Sequence, residues 1–198
     1  MKMLLDPGAA LMQAKKEKSL GLSVGLLVVA AVLFAIFVAV AGQNFASSIS
    51  LLGQGTAARL AGALAGALAL TAFVLVFVGG LFYGYIVQLV MNTLGGKGQY
   101  FEGLTPVAYT SFLVSVGMLV GWILSNIPTI GAVLGAAVAV IFGALGIAAF
   151  FRGVKELFGV DYLTALIGSL VIQSSVLVLF FALTMFGLQS LSSLVRLG

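Results

Sequence analysis

The chain has 198 residues, 62% of them hydrophobic and only 7% charged, with a formal net charge of +4 and neither cysteine nor histidine. So few charges cannot cover a water-soluble surface, and the missing side chains exclude disulfides, thiolate nucleophiles, haem ligation by histidine and nearly every zinc site. The basic balance does not point to nucleic acid, because the cations stand at the ends of apolar runs, where anionic headgroups attract each by about 1 kcal/mol.

Residues 1–18 hold Lys2, Asp6, Lys15, Lys16, Glu17 and Lys18. Asp6-Pro7 reads as an N-cap with proline at the first helical position. Residues 7–18 then form either a short amphipathic helix on the membrane surface or a solvated basic tail. A first span follows over about 20–41. Ala39-Val40-Ala41 resembles a signal cleavage site, but the run from Ser19 to Val38 exceeds a signal peptide's apolar region and is read as a retained span.

Gln43, Asn44, Ser47, Ser48 and Ser50 mark a polar loop. The uncharged stretch from Ala57 to Leu94, broken only by Arg59, would reach about 57 Å as one helix, roughly twice the hydrocarbon thickness. It is either an interfacial segment leading into a span over about 70–92 or two spans broken at Gly79-Gly80. Charge separates the two. With one span here, five in all and a cytoplasmic N-terminus, Lys2, Lys15, Lys16, Lys18, Lys97, Arg152 and Lys155 are cytoplasmic and only Arg59 and Arg196 lie outside. That is seven against two. Splitting the stretch gives five against four, so the positive-inside bias selects the single span.

Three more spans follow over about 105–125, 130–151 and 162–187. Ser125-Asn126-Ile127-Pro128 gives a tight outer turn with Pro128 opening the fourth helix, and Asp161 caps the fifth. After it Leu188, Leu191, Leu194 and Val195 repeat at helical spacing in the outer interface. The expected fold is an all-α polytopic integral membrane protein, a single domain over 1–198 with five transmembrane helices. The expected setting is a prokaryotic cytoplasmic membrane, with the C-terminus outside.

Five Gly-x-x-x-Gly pairs, Gly21/Gly25, Gly62/Gly66, Gly80/Gly84, Gly117/Gly121 and Gly131/Gly135, let helix backbones approach within the bundle or across a dimer face. In Leu94-Gly95-Gly96-Lys97-Gly98-Gln99-Tyr100 the nucleotide-loop spacing is absent. Gly95, Gly96 and Gly98 are expected to build a turn, with Gly95 or Gly96 in the left-handed position that ends a helix and Lys97 at headgroup level. Lys15, Lys16, Lys18, Lys97, Arg152 and Lys155 are the candidate contacts for lipid or a partner protein.

Gln88, Asn92, Ser111, Ser115, Thr164, Gln173, Ser174, Ser175 and Thr184 are read as membrane-depth polar groups that bond across helices or line a solute path. Gln88, Gln173, Ser174 and Ser175 are the candidate polar patch. No ionisable residue lies deep in a span, which argues against proton-coupled transport. Glu102, Glu156 and Asp161 are the only carboxylates placed for acid–base work; cap and loop roles explain them as well. No cofactor is implied.

Taken in order, several segments resemble the YIP (Ypt-interacting protein) domain family. Leu4-Leu5-Asp6-Pro7-Gly8-Ala9-Ala10-Leu11 is similar to its proline-containing lead-in, and Leu94-Gly95-Gly96-Lys97-Gly98-Gln99-Tyr100-Phe101 to its Gly-Gly-Lys-Gly loop with following aromatics. Ala108-Tyr109-Thr110-Ser111 resembles the opening of the third span. Phe151-Arg152-Gly153-Val154-Lys155-Glu156, followed by Ala165-Leu166, resembles the Gly-Leu-Lys loop before the fifth. The resemblance implies five spans, a cytoplasmic N-terminus and, for eukaryotic members, association with trafficking through Rab-type small GTPases and with one another. The Asp-Leu-Tyr-Gly-Pro motif and long cytosolic N-terminus of those members are absent, as is the proline often found after the third span's tyrosine, where Phe112 and Leu113 stand. The chain looks like a prokaryotic-type member, and GTPase binding is not carried over to it. The resulting expectation is a non-enzymatic scaffold or adaptor that contacts membrane lipids and other membrane proteins or itself. A passive channel or solute-carrier component is the alternative.

Overall fold

A computed structural model describes residues 20–48 and 54–175, with side chains placed over 20–42 and 62–175. Five helices occupy this span: α1 (Leu20–Ser48), α2 (Gln54–Thr93), α3 (Tyr100–Ser125), α4 (Gly131–Phe158) and α5 (Tyr162–Ser175). The first four are long and apolar enough to cross a membrane. The described part of α5 is shorter, and its expected continuation to residue 187 lies outside the described residues, as does the expected helix over 7–18.

Each of the first four helices runs past one end of the span read from hydropathy, because backbone hydrogen bonding continues until a cap or a turn stops it, whereas hydropathy marks only the lipid-facing part. The Gly79-Gly80 pair does not break α2, which is continuous for 40 residues. Its apolar part, Gly62–Thr93, spans 32 residues or about 48 Å. It therefore crosses a bilayer at a tilt or emerges from it.

α3 begins at Tyr100, five residues before the expected span. The Gln99 backbone N–H donates to the Glu102 carboxylate at 2.8 Å, and this local bond starts the helix. Pro106 lies inside α3, and the neighbouring Thr105 hydroxyl donates to the Phe101 carbonyl at 2.8 Å. At the other end the expectation that Pro128 opens the fourth helix fails. Thr129 adopts φ 73°, a left-handed conformation that a helix cannot contain, and α4 starts only at Gly131.

Successive helices pack antiparallel, and glycines set their approach. In the α1–α2 pair Gly42 faces Ala65 at one end and Gly80 faces Leu27 at the other. In the α2–α3 pair Gly84 lies against the Leu104 backbone and Gly103 against the Gly84 carbonyl. In the α3–α4 pair Gly121 and Gly135 each abut the other's carbonyl, and Gly117 meets Phe142. Three of the Gly-x-x-x-Gly pairs thus serve packing within the chain, whereas Gly25, Gly62 and Gly66 face open space. α3 packs on α1, α2 and α4 and is the most buried of the four candidate spans.

The core gathers towards one end of the bundle. Val87, Met91, Val107, Tyr109, Phe150, Val154, Leu157, Phe158, Ala165 and Ile172 form its main cluster, and Leu27, Leu104 and Ala108 a second. The outside is apolar: Leu70, Leu75, Val133, Val140 and Leu163 are each at least 66% exposed. That many exposed aliphatic side chains suit hydrocarbon and not water.

Candidate functional site

Two connections meet at the core-rich end of the bundle: Lys97 lies in the first, whereas Arg152, Lys155 and Glu156, expected in a loop, lie in the last two turns of α4 that lead into the second. The first joins α2 to α3. Its turn opens with Gly95 at φ 91°, so of the two candidate glycines it is Gly95 that takes the positive φ. The Gly96 N–H bonds the Met91 carbonyl at 2.9 Å, returning the chain over the end of α2. Asn92 then clamps the loop: its side-chain amide donates to the Gly98 carbonyl at 2.9 Å and accepts from the Gly98 N–H at 3.0 Å.

The second connection joins α4 to α5. Gly159 ends α4 with φ 66°. Asp161 caps α5, its carboxylate accepting from the Thr164 N–H at 2.8 Å and from the Thr164 hydroxyl at 3.0 Å. Those bonds, the backbone one first, hold the Asp161 carboxyl below its ordinary pKa.

Phe158 links the two. Its ring is buried, with Gly96 and Gly98 directly against it, and the Lys97 N–H reaches the Phe158 carbonyl at 3.4 Å. Any side chain at Gly98 would enter the ring. The fold thereby sets the Lys97 loop on the C-terminal end of α4, where unsatisfied carbonyls favour a cation. Lys97 and Arg152 are both exposed. Lys155 lies 3.3 Å from the Glu156 carboxylate and 3.8 Å from the centre of the Tyr162 ring, which itself stacks on Phe151.

Lys15, Lys16 and Lys18 lie outside the described residues. Lys97, Arg152 and Lys155 share one end of the bundle. The carboxylates weighed for acid–base work hold local structure: Glu102 and Asp161 at helix starts, Glu156 beside Lys155. No group of three or more metal-ligating side chains occurs among the described residues.

The residues of the candidate polar patch are divided between α2 and α5. Gln88 lies on α2 against Gly103 of α3. Gln173 lies on α5, where it lines a groove of about 640 Å³ between α4 and α5 with Ala144, Ala148, Phe151, Leu166 and Ser169. Ser174 is exposed, and Ser175 bonds back to the Val171 carbonyl at 2.8 Å. Asn92 and Thr164, read as bonding across helices, instead clamp a loop and support a cap. Thr184 lies outside the described residues.

The bonds that do join helices come from other residues. Buried Ser23 on α1 meets buried Thr105 on α3 at 2.8 Å. The Thr110 hydroxyl donates to the Gly146 carbonyl at 3.0 Å, and the Tyr100 hydroxyl to the Leu81 carbonyl at 2.9 Å. The aromatic character of Phe158 was visible in the sequence, but nothing there marked it as the residue on which both loops rest.

This arrangement offers exposed cations on a packed end, and among the described residues the candidate carboxylates are not brought together. A sequence model of the Yip1 domain matches residues 1–186. No curated protein and no solved structure matches the chain.

Proposed function

Because the chain belongs to the Yip1 domain family and four of its helices suit a membrane crossing, we propose that it is a non-enzymatic membrane scaffold or adaptor. In this reading a fifth span completes the bundle and the N-terminus is cytoplasmic, in a prokaryotic plasma membrane. An amphipathic N-terminal helix adds Lys15, Lys16 and Lys18 to the same face as Lys97, Arg152 and Lys155. The partners are membrane lipids and membrane proteins, including further copies of the chain. Small-GTPase binding forms no part of the reading.

One observation carries it. The contact of Gly96 and Gly98 with Phe158 sets the Lys97 loop against the end of α4 that carries Arg152 and Lys155, and a joined basic surface is what a scaffold needs and an isolated lipid-facing lysine does not supply. A passive channel would place Gln88 and Gln173 around one cavity, and the groove that Gln173 lines is not lined by Gln88.

Photo-crosslinking residues placed at Lys97 and Arg152 should give protein adducts in cells, and the same probe at Asn126, at the other end of α3, should not. A monomer without adducts from the loop end, or equal adducts from both ends, contradicts the scaffold reading.

A further inference from the structure

The groove between α4 and α5 has a feature that the loop surface does not account for. Its α4 wall is the stripe Ala144, Ile147, Ala148, Phe151, and its α5 wall runs through Leu166, Ser169, Leu170 and Gln173. The small side chains of Ala144 and Ala148 leave the space open, and about 640 Å³ falls in the size range of small-molecule sites. Gln173 stands eleven residues beyond Tyr162, or about 16 Å along α5, which is roughly half the hydrocarbon thickness. The groove therefore runs from the membrane interface towards the bilayer centre.

Its mouth is polar and positive. Residues four apart on a helix share a face, so Arg152 continues the Ala144–Ala148 row by one turn and Lys155 continues the Ile147–Phe151 row. On the opposite wall Tyr162 stands one turn before Leu166. Phe151 and Tyr162 stack at 6.1 Å between their ring centres, and Lys155 lies over the tyrosine face. Aromatic rings at this level are the usual boundary between headgroups and hydrocarbon. Glu156 partly neutralises Lys155 at 3.3 Å, whereas exposed Arg152 takes part in no ion pair among the described residues.

We infer that this groove is a binding site for one anionic phospholipid, its acyl chain between α4 and α5 and its phosphate on the Arg152 guanidinium. The planar fork of arginine suits a phosphate oxygen pair, and Lys155 adds a second donor beside it. The apolar walls take the chain, and the aromatic pair at the mouth sets its depth. The inference needs only a membrane setting and stands or falls apart from the scaffold reading.

The test is native mass spectrometry of the full chain ejected from nanodiscs of mixed phosphatidylglycerol and phosphatidylcholine. The wild type should retain phosphatidylglycerol with an enrichment of about fivefold over the bulk mixture, the factor one basic residue supplies at a membrane surface. Arg152→Gln should abolish the preference. Ala148→Phe should remove retained lipid of either kind, and Ala144→Phe reads the same groove from its deeper end should the first variant not fold. Arg59→Gln, on α2 and away from the groove, should change nothing. The inference is overturned by retention without headgroup preference, by undiminished retention in the filled-groove variants, or by an equal loss in Arg59→Gln. It is also overturned if the wild type retains no lipid, whether residues 176–198 or a second copy fills the groove.

Discussion

At the residue scale, the requirement in the Gly-Gly-Lys-Gly loop is for absent side chains more than for a charge. A Cβ at Gly96 would meet the Met91 carbonyl at 2.9 Å and Phe158 at 3.1 Å, and one at Gly98 would enter the Phe158 ring. Gly96→Val and Gly98→Ala should each lower the unfolding temperature in detergent, in line with the 1–3 kcal/mol typical of overpacking. Lys97→Ala, at an exposed position, should stay within about 0.5 kcal/mol of the wild type. The reverse order would place the requirement on the charge.

Asp161 gives a pH prediction of definite sign. Its folded pKa is depressed by the Thr164 bonds, so its contribution is complete above the ordinary aspartate value near 4 and is lost as pH falls towards the folded value. Unfolding followed from pH 6 to pH 2 should show Asp161→Asn losing less stability than the wild type over the acidic part of that range. Identical profiles would show that the carboxylate bonds add nothing. This cap was legible because its chemistry is local in sequence. The interhelical hydroxyls were not: Thr110, not its neighbour Ser111, bonds across to α4, and a helix turn of about 100° between them decides which faces the partner.

At the element scale, α2 supplies a test inside one dipeptide. Both Gly79 and Gly80 lie in the continuous helix, but a Cβ at Gly79 meets nothing within 4 Å, whereas one at Gly80 meets the Leu27 side chain at 2.7 Å. Gly79→Ala should stabilise by about 0.5–1 kcal/mol through lost backbone freedom in the unfolded chain. Gly80→Ala should destabilise by opening the α1–α2 contact. Matching signs would contradict the packing of these helices. From sequence the pair could be read as a break, because glycine punctuates helices. Lipid tolerates glycine inside them wherever it serves close approach. Charge distribution predicts a single span here after an interfacial segment, and the observed helix runs unbroken through both. Pro128 fails to open α4 for the opposite reason: it carries a strong local signal, but the left-handed Thr129 that follows it has none.

At the scale of the whole molecule, hydropathy and charge were enough to predict an all-helical membrane architecture, because lipid forces backbone hydrogen bonds to close within each segment. How the loops meet was not legible. It depends on Phe158 and the glycines against it, contacts between positions some sixty residues apart that no spacing rule reaches. The proposed topology makes the Lys97 loop and the Arg152 end of α4 one cytoplasmic surface opposite the Asn126 turn. The chain has no cysteine, so single cysteines at Lys97, Arg152 and Asn126 can each be probed with a membrane-impermeant maleimide in intact cells and in inverted vesicles. Lys97→Cys and Arg152→Cys should label only in inverted vesicles and Asn126→Cys only in intact cells. Labelling of Lys97→Cys and Arg152→Cys from opposite sides, or of both from outside, would contradict the account.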